Sequence, residues 1–502
     1  MKKLVSLGCS LGAALVAVAA LEPATPESQG ISSQAILDWI DACESTFDAG
    51  KAGAMHGFVL LRHGKTVAEG SWTPFDTLNE THMLYSHSKS FTSSAVGFLV
   101  DDGKLDLDDR VVDLFPDVAP TNACANLCAM RVRDLLTMNT GSTTAHDFRG
   151  TSDWRRQFMA KNFAAPPGSV FRYDSDATYM LAAIVEKKSG MRLADFLKER
   201  MFDKIGIEKA WTTLSPQGIA CGGWGFNMTT RELARFGQLY LQRGSWNGET
   251  LLSPEWVMLA TARETWCNGI KINRETIGSG SDWKQGYGFQ FWRCRHGAYR
   301  ADGASGQLTV VMPEQDAVLS VHAGLSNMQK ELDLVWTHLL PAMKPVPLSE
   351  NPAVCGKLRR RLASLAIAPL KGTDGYGEGR FDFEDNPRGI RSVAFAKATD
   401  GWECRLTTPS GEQRFPVGFG AWIEGSMRID PWDYEGLGDH PGAYAVRASG
   451  AVDAQGDFRV KAYLTGTTAF FDFRVHLENG QPVCDGQFRA MRGCGYKSKR
   501  VK

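Results

Sequence analysis

Two hairpin patterns lie at opposite ends of the first 345 residues, and this separation constrains the fold more than any other feature. Gly57 to Glu69 carries two apolar stretches, GFVLL and TVAEG, broken by His63-Gly64-Lys65. That is the signature of two strands joined by a short turn. A second pair, Val310–Met312 and Ala317–Val321, turns at Pro313 to Asp316. Between them the chain reads as helix and loop. Thr229-x-x-Glu232 is a capping box for a helix over Arg231–Gln242, with Leu233, Phe236 and Tyr240 on one side. An amphipathic helix is expected over 32–47, capped by Ser32 or Ser33. Another helical segment runs roughly from Asn327 to Leu340. The spacing predicts an α/β (α+β) domain over 24–345. Its antiparallel sheet is built from both chain ends, flanked by helices and carrying an inserted helical domain. A crevice between the two parts is the expected active site.

A chain of 502 residues is too long for one ordinary core. Residues 346–369 read as a linker, with Pro347, Pro352 and the basic run Arg359–Arg361. After about residue 370 the texture changes. Phe458, Val460, Ala462 and Leu464 alternate with other residues, as do Phe471, Phe473, Val475 and Leu477. Residues 370–502 are therefore expected to form an all-β domain, a barrel or sandwich, with a structural or lid-like accessory role.

Residues 1–20 read as an export signal. Lys2 and Lys3 precede an apolar run, Val5 to Val18, and Ala17-Val18-Ala19 suits cleavage. The run is too short for a membrane span, so a periplasmic or secreted protein without one is expected. Net charge is +0, which argues against electrostatic capture of nucleic acid or an anionic membrane. Of 11 cysteines, none forms Cys-x-x-Cys, and His-Glu-x-x-His does not occur, so no local zinc site is expected. No cofactor is implied. Disulfide pairing and oligomeric state are left open by the sequence.

The chemistry-bearing stretch is Tyr85-Ser86-His87-Ser88-Lys89-Ser90-Phe91. Phe91, Ala95, Phe98 and Leu99 follow at helical spacing, and Gly103 ends the helix. Ser86 and Lys89 thus share one face of a first turn. A buried lysine is driven toward the neutral amine, which can accept the serine proton. His82 and His87 are expected as polar residues at the helix entry, off that face. A second Ser-x-x-Lys, Ser281 to Lys284, sits in a Gly/Ser-rich stretch with no apolar helix behind it. Two further features fit a site. Tyr173 precedes a helical run, Thr178 to Ser189, and can share a proton with the lysine, while Ser175 can orient it. Ala301-Asp302-Gly303-Ala304 runs toward a strand, where the Ala304 N–H can serve as an oxyanion donor beside that of Ser86. Trp224 and the run Tyr287 to Trp292 either line an acyl pocket or belong to the core. No Gly-x-Ser-x-Gly occurs, which removes support for an α/β-hydrolase.

In order and spacing these motifs resemble the serine β-lactamase and penicillin-binding-protein superfamily, on its class C side, which includes esterases, D-amino-acid peptidases and amide hydrolases. LLTMNTG at 135–141 and GGWGFNMTTRELARFGQLYLQRGSWNG at 222–248 carry the resemblance further, over about residues 24–342. It implies Ser86 as acylated nucleophile, Lys89 as base and Tyr173 as second proton-transfer group. Ser175, Asp302, Gly303 and Trp224 would then border a small-molecule or peptide substrate. The family's Lys-Thr-Gly is replaced by Ala301-Asp302-Gly303. That change disfavours a carboxylate-bearing substrate unless Arg172 or Arg300 reaches in. The expected function is ester or amide hydrolysis through a Ser86 acyl-enzyme. A β-lactamase or D-amino-acid peptidase is one alternative, and a catalytically silent ligand-binding protein is another.

Overall fold

The computed structural model describes residues 21–47, 53–144, 153–264, 280–375, 377–428, 443–489 and 494–497. The expected export signal, residues 1–20, lies outside them. The distant hairpins do meet. Met55–Arg62 runs antiparallel to Ala317–Ala323, with Phe58 opposite Val321 and Leu60 opposite Leu319. The sheet runs in the order Lys65–Ser71, Met55–Arg62, Ala317–Ala323, Gln307–Met312, Tyr299–Gly303, Trp292–Arg293. Met55–Arg62 is buried along its whole length, which explains its unbroken apolar run.

Helices cover both faces of this sheet. Ser33–Thr46 packs on one, Trp39 meeting the Phe58 ring edge-on at 4.9 Å. Thr230–Leu241 packs on the other, started by the Thr229–Glu232 capping box. Gly237 makes that contact possible. A Cβ there would lie 2.5 Å from Val318 Cγ1 and 2.6 Å from Thr309 Cγ2. The inserted helical part is centred on Ser88–Asp101, buried from Ser88 to Leu99, which packs against Ser175–Ser189.

The stretch expected to be a linker holds a helix, Pro352–Leu362, packed on Ser33–Thr46 and Lys65–Ser71. Asn351 caps it and Pro352 takes its first position, a start signal that the prolines of the region obscured. Beyond it, ten strands form one continuous sheet separate from the first. The Glu384 N–H donates to the Lys497 carbonyl at 3.0 Å, which brings the end of the first strand against the last. The sheet curls around one apolar core containing Phe395, Trp402, Phe458 and Phe473. Phe471, Phe473 and Val475 point into it as expected. Leu477 does not: it is 70% exposed, beside the Asn479-Gly480 turn where the core has ended.

The two domains touch directly. Met83 N–H donates to the Gly466 carbonyl at 2.9 Å. Arg447 pairs with Glu80 at 2.6 Å and donates to the Pro74 carbonyl at 2.6 Å. Phe75 packs edge-on to Tyr463 at 5.2 Å. Among the described residues, no helix is long and apolar enough to cross a membrane.

Candidate active site

Ser86 lies in a 3-10 turn, Tyr85–His87, that leads into the Ser88–Asp101 helix. It is the one partly open residue between His82 and Ser90. The turn is pinned from behind: Leu84 N–H donates to the Phe226 carbonyl at 2.9 Å, and Phe226 N–H donates to Ser88 Oγ at 3.1 Å.

Lys89 is 1% exposed. Its Nζ lies 2.9 Å from Ser86 Oγ, 3.0 Å from Ser175 Oγ and 2.6 Å from the Gly223 carbonyl oxygen. Burial pulls its pKa down to about 7, opposed by the carboxylates of Asp174, Asp176 and Asp302. Above that pH the amine is mostly neutral, with two N–H groups and one lone pair. Gly223 O and Ser175 Oγ can take the two N–H groups, which turns the lone pair toward the Ser86 hydroxyl.

Gly222 and Gly223 allow this arrangement. A Cβ on Gly222 would sit 2.6 Å from Ala182 Cβ, and one on Gly223 2.7 Å from the Ser175 carbonyl. Only a bare backbone can press this close and bring its carbonyl onto Lys89. Trp224 follows, partly exposed, its ring 5.7 Å from that of Trp154.

The Tyr173 phenol interacts with the Ser86 side chain, and Lys89 Nζ lies 4.8 Å from its ring centre. Burial raises its pKa, so it stays a protonated donor. Trp292 stacks on it at 5.5 Å. Phe289 and Phe291, from the same run, are core residues. Ser175 opens its helix, with Asp174 accepting from the Asp176 N–H at 3.0 Å.

Beneath this helix start lies a charge cluster that the sequence reading missed. Lys161 Nζ is 2.7 Å from Asp174 Oδ2 and 2.5 Å from Asp176 Oδ2, all three side chains nearly inaccessible. Lys161 gives no local signal, because it reaches its partners across a loop.

On the sheet side, Gly303 comes so close to the Ser86 turn that a Cβ would lie 2.0 Å from the Leu84 carbonyl oxygen. Asp302 and Ala304, on either side, are partly open. Ala304 also packs against the core of the C-terminal sheet. Asp302 accepts from Arg300 Nε at 2.7 Å. Arg300 is fully buried between Trp283 and Trp292, and its Nη1 donates to the Asp282 carbonyl at 3.1 Å. It therefore neutralises Asp302 from behind and shows no cation to the site. Arg172 donates to the Thr143 carbonyl.

The histidines differ from expectation. His82 and His87 are core groups, not polar entry residues. Burial drives their pKa values down to about 4 and about 3. His82 Nε2 lies 3.0 Å from His56 Nδ1, and the His322 ring is 4.6 Å from that of His82. Among the described residues no group of three His, Cys, Asp or Glu side chains is arranged to hold a metal ion. The second Ser-x-x-Lys is structural: Ser281 caps a short turn, and the buried Asp282 takes Arg295 at 2.8 Å and Trp336 Nε1 at 3.0 Å. Cys43, Cys124, Cys128, Cys221, Cys294, Cys355, Cys404 and Cys484 are free thiols.

Ser86, Lys89, Tyr173 and Ser175 thus gather beside the Gly303 end of the Tyr299–Gly303 strand, in a sheet built from both chain ends. A family model described as Beta-lactamase matches residues 40–338, more than half of the chain, and the chain belongs to that family. It is 25% identical over 325 residues to the 6-aminohexanoate-dimer hydrolase of Paenarthrobacter ureafaciens, a match covering 60% of this chain and 80% of that one. Similar solved structures include a penicillin-binding protein homologue from Caulobacter crescentus, at 18% identity and a TM-score of 0.47, covering 58% of this chain and 92% of that one. A family VIII carboxylesterase is similar at 16% identity and a TM-score of 0.45, covering 62% and 98%.

Proposed function

We propose that this chain is a serine hydrolase that cleaves an ester or amide through an acyl-enzyme on Ser86. The observation that carries this reading is the 2.9 Å approach of a buried lysine amine to a partly open serine hydroxyl. Lys89 takes the Ser86 proton as Oγ bonds to the substrate carbonyl carbon. The N–H groups of Ser86 and Ala304 hold the resulting oxyanion. The carbonyl re-forms as the leaving group departs, taking a proton from Tyr173, which Lys89 replenishes. Water then attacks the acyl group, losing its proton to the same pair, which passes it to Ser86 Oγ as the bond from Oγ to the acyl carbon breaks and the carboxylic acid leaves. Ser175 orients the lysine, while Trp224, Asp302 and Gly303 border the substrate.

Asp302 supports a substrate without a carboxylate beside the scissile bond. Its partner Arg300 is buried behind it, so an incoming anion would meet a carboxyl group. Neutral esters and amides are favoured over β-lactams, and the likeness to a hydrolase of 6-aminohexanoate dimer supports including amides. The basic and apolar residues of the N-terminus support action after export. Turnover of p-nitrophenyl butyrate beside nitrocefin tests the preference. Turnover of the ester at least about tenfold faster is expected, corresponding to about 1.4 kcal/mol. Faster nitrocefin turnover would favour the β-lactamase alternative, and no turnover or serine labelling at all would favour a binding protein.

A further inference from the structure

We propose that the C-terminal domain helps position the nucleophile, through a hydrogen bond between Thr468 and Tyr85. This rests on the reading of Ser86 as nucleophile.

Tyr85, immediately before Ser86, has φ 47, in the left-handed region. A non-glycine residue stays there only where its surroundings over-determine it. Much of what surrounds Tyr85 comes from the other domain. Its hydroxyl is 2.7 Å from Thr468 Oγ1, 383 residues away in sequence. Its side chain and that of Met83 belong to the apolar core of the C-terminal sheet. Two residues before Tyr85, the Met83 N–H donates to the Gly466 carbonyl at 2.9 Å.

The contacting turn, residues 465–469, is itself rigid. Thr467 Oγ1 donates to the Leu464 carbonyl at 2.9 Å and accepts from the Ala469 N–H at 2.9 Å. Leu464 N–H donates to the Ala469 carbonyl at 3.0 Å. Gly466 approaches closely, since a Cβ there would lie 3.3 Å from the Thr81 carbonyl oxygen. Three threonines thus form a stiff polar tip on a sheet whose interior is otherwise apolar, and that tip meets the residue before Ser86.

Fixing Tyr85 sets the direction in which the chain enters the Ser86 turn. That direction sets where Ser86 Oγ and its N–H point. Thr468 and Tyr85 are thus positioning residues. If Tyr85 relaxes to an ordinary φ, Ser86 Oγ swings away from Lys89, and a displacement of about 1 Å can cost about 100-fold in rate.

The test uses the full chain and four variants: Thr468→Val, Thr468→Ser, Tyr85→Phe and the Thr468→Val/Tyr85→Phe double variant. Each is checked by thermal melting and then timed for fluorophosphonate labelling and p-nitrophenyl butyrate turnover. Thr468→Val and Tyr85→Phe should each slow labelling and kcat by about 10- to 100-fold with KM within about twofold. Thr468→Ser should restore the rate, and the double variant should be no worse than either single one. Wild-type labelling rates in Thr468→Val would overturn the proposal. So would equal losses in Thr468→Val and Thr468→Ser, which would mark the side chain as packing only. A wild-type chain that never labels would instead overturn the Ser86 reading on which the proposal stands.

Discussion

The interiors of the two domains are made of different material. Around Ser86 the first domain buries Lys89, Lys161, Asp174, Asp176, Arg300, Glu331 and four histidines, His56, His82, His87 and His322. The C-terminal sheet encloses Phe, Val, Trp and Leu side chains, and its near-buried charges, Asp457 and Lys461, keep 8% and 9% exposure. Burying a charge costs free energy, which a domain built only for stability avoids. The contrast teaches where chemistry is located: titratable groups are buried where their pKa values must be moved. The C-terminal domain contributes an apolar core, and three of its buried polar residues, Thr465, Thr467 and Thr468, lie in the turn that meets the Tyr85 side chain.

The sharpest way to break this contrast is to remove the proposed base. Lys89→Met should lower kcat/KM by about 10³- to 10⁴-fold and leave the C-terminal sheet unaffected. In the wild type the pH dependence has a definite sign. Lys89 acts as a base only when neutral, and its pKa is drawn down to about 7. Activity should therefore rise with pH through about 7. Tyr173, raised above its usual range, adds no falling limb below pH 10. A rate that falls as pH rises through 7 would contradict the assignment.

Next in size is the buried pair behind Asp302. Arg300→Met leaves a buried carboxyl without its partner and should cost about 3–5 kcal/mol of stability in urea unfolding. A loss under about 1 kcal/mol would mean that the pair is not what holds the strand end.

The smallest expected effect is on acid stability. Unfolded histidines bind a proton near pH 6.5, whereas folded His82 does so only near 4. Between these values the unfolded chain holds more protons. Stability is thus full above about pH 6.5 and falls as pH drops toward 4, by about 3 kcal/mol from His82 alone. Hydrogen exchange at pH 7.5 and 5 should show the Met55–Arg62 strand losing protection before the C-terminal strands do. Loss starting in the C-terminal strands would reverse the comparison.

Much of the fold was legible because its signals are local. The capping box at Thr229 and Glu232, the two hairpins and the helix behind Ser86 each declare themselves within a few residues. The Ser86–Lys89 spacing works the same way, since residues three apart on a helix meet. What stayed hidden depends on long-range contact. Lys161 meets its aspartates across a loop, and Tyr85 meets Thr468 across two domains. The histidines around His82 come from distant stretches that only the sheet and the Ser86 turn bring together. Two signals were local and still missed. Arg300 and Asp302 alternate on one strand, which puts both on the same face. Asn351-Pro352 opens a helix inside a stretch that reads as a linker.

The central claim is that Ser86 is the nucleophile. Intact-mass measurement after fluorophosphonate treatment, on wild type and Ser86→Ala side by side, tests it most directly. The account predicts one adduct on the wild type, none on Ser86→Ala, and ester turnover lower by on the order of 10⁴-fold or more in the variant. An adduct of the same mass on Ser86→Ala would contradict it.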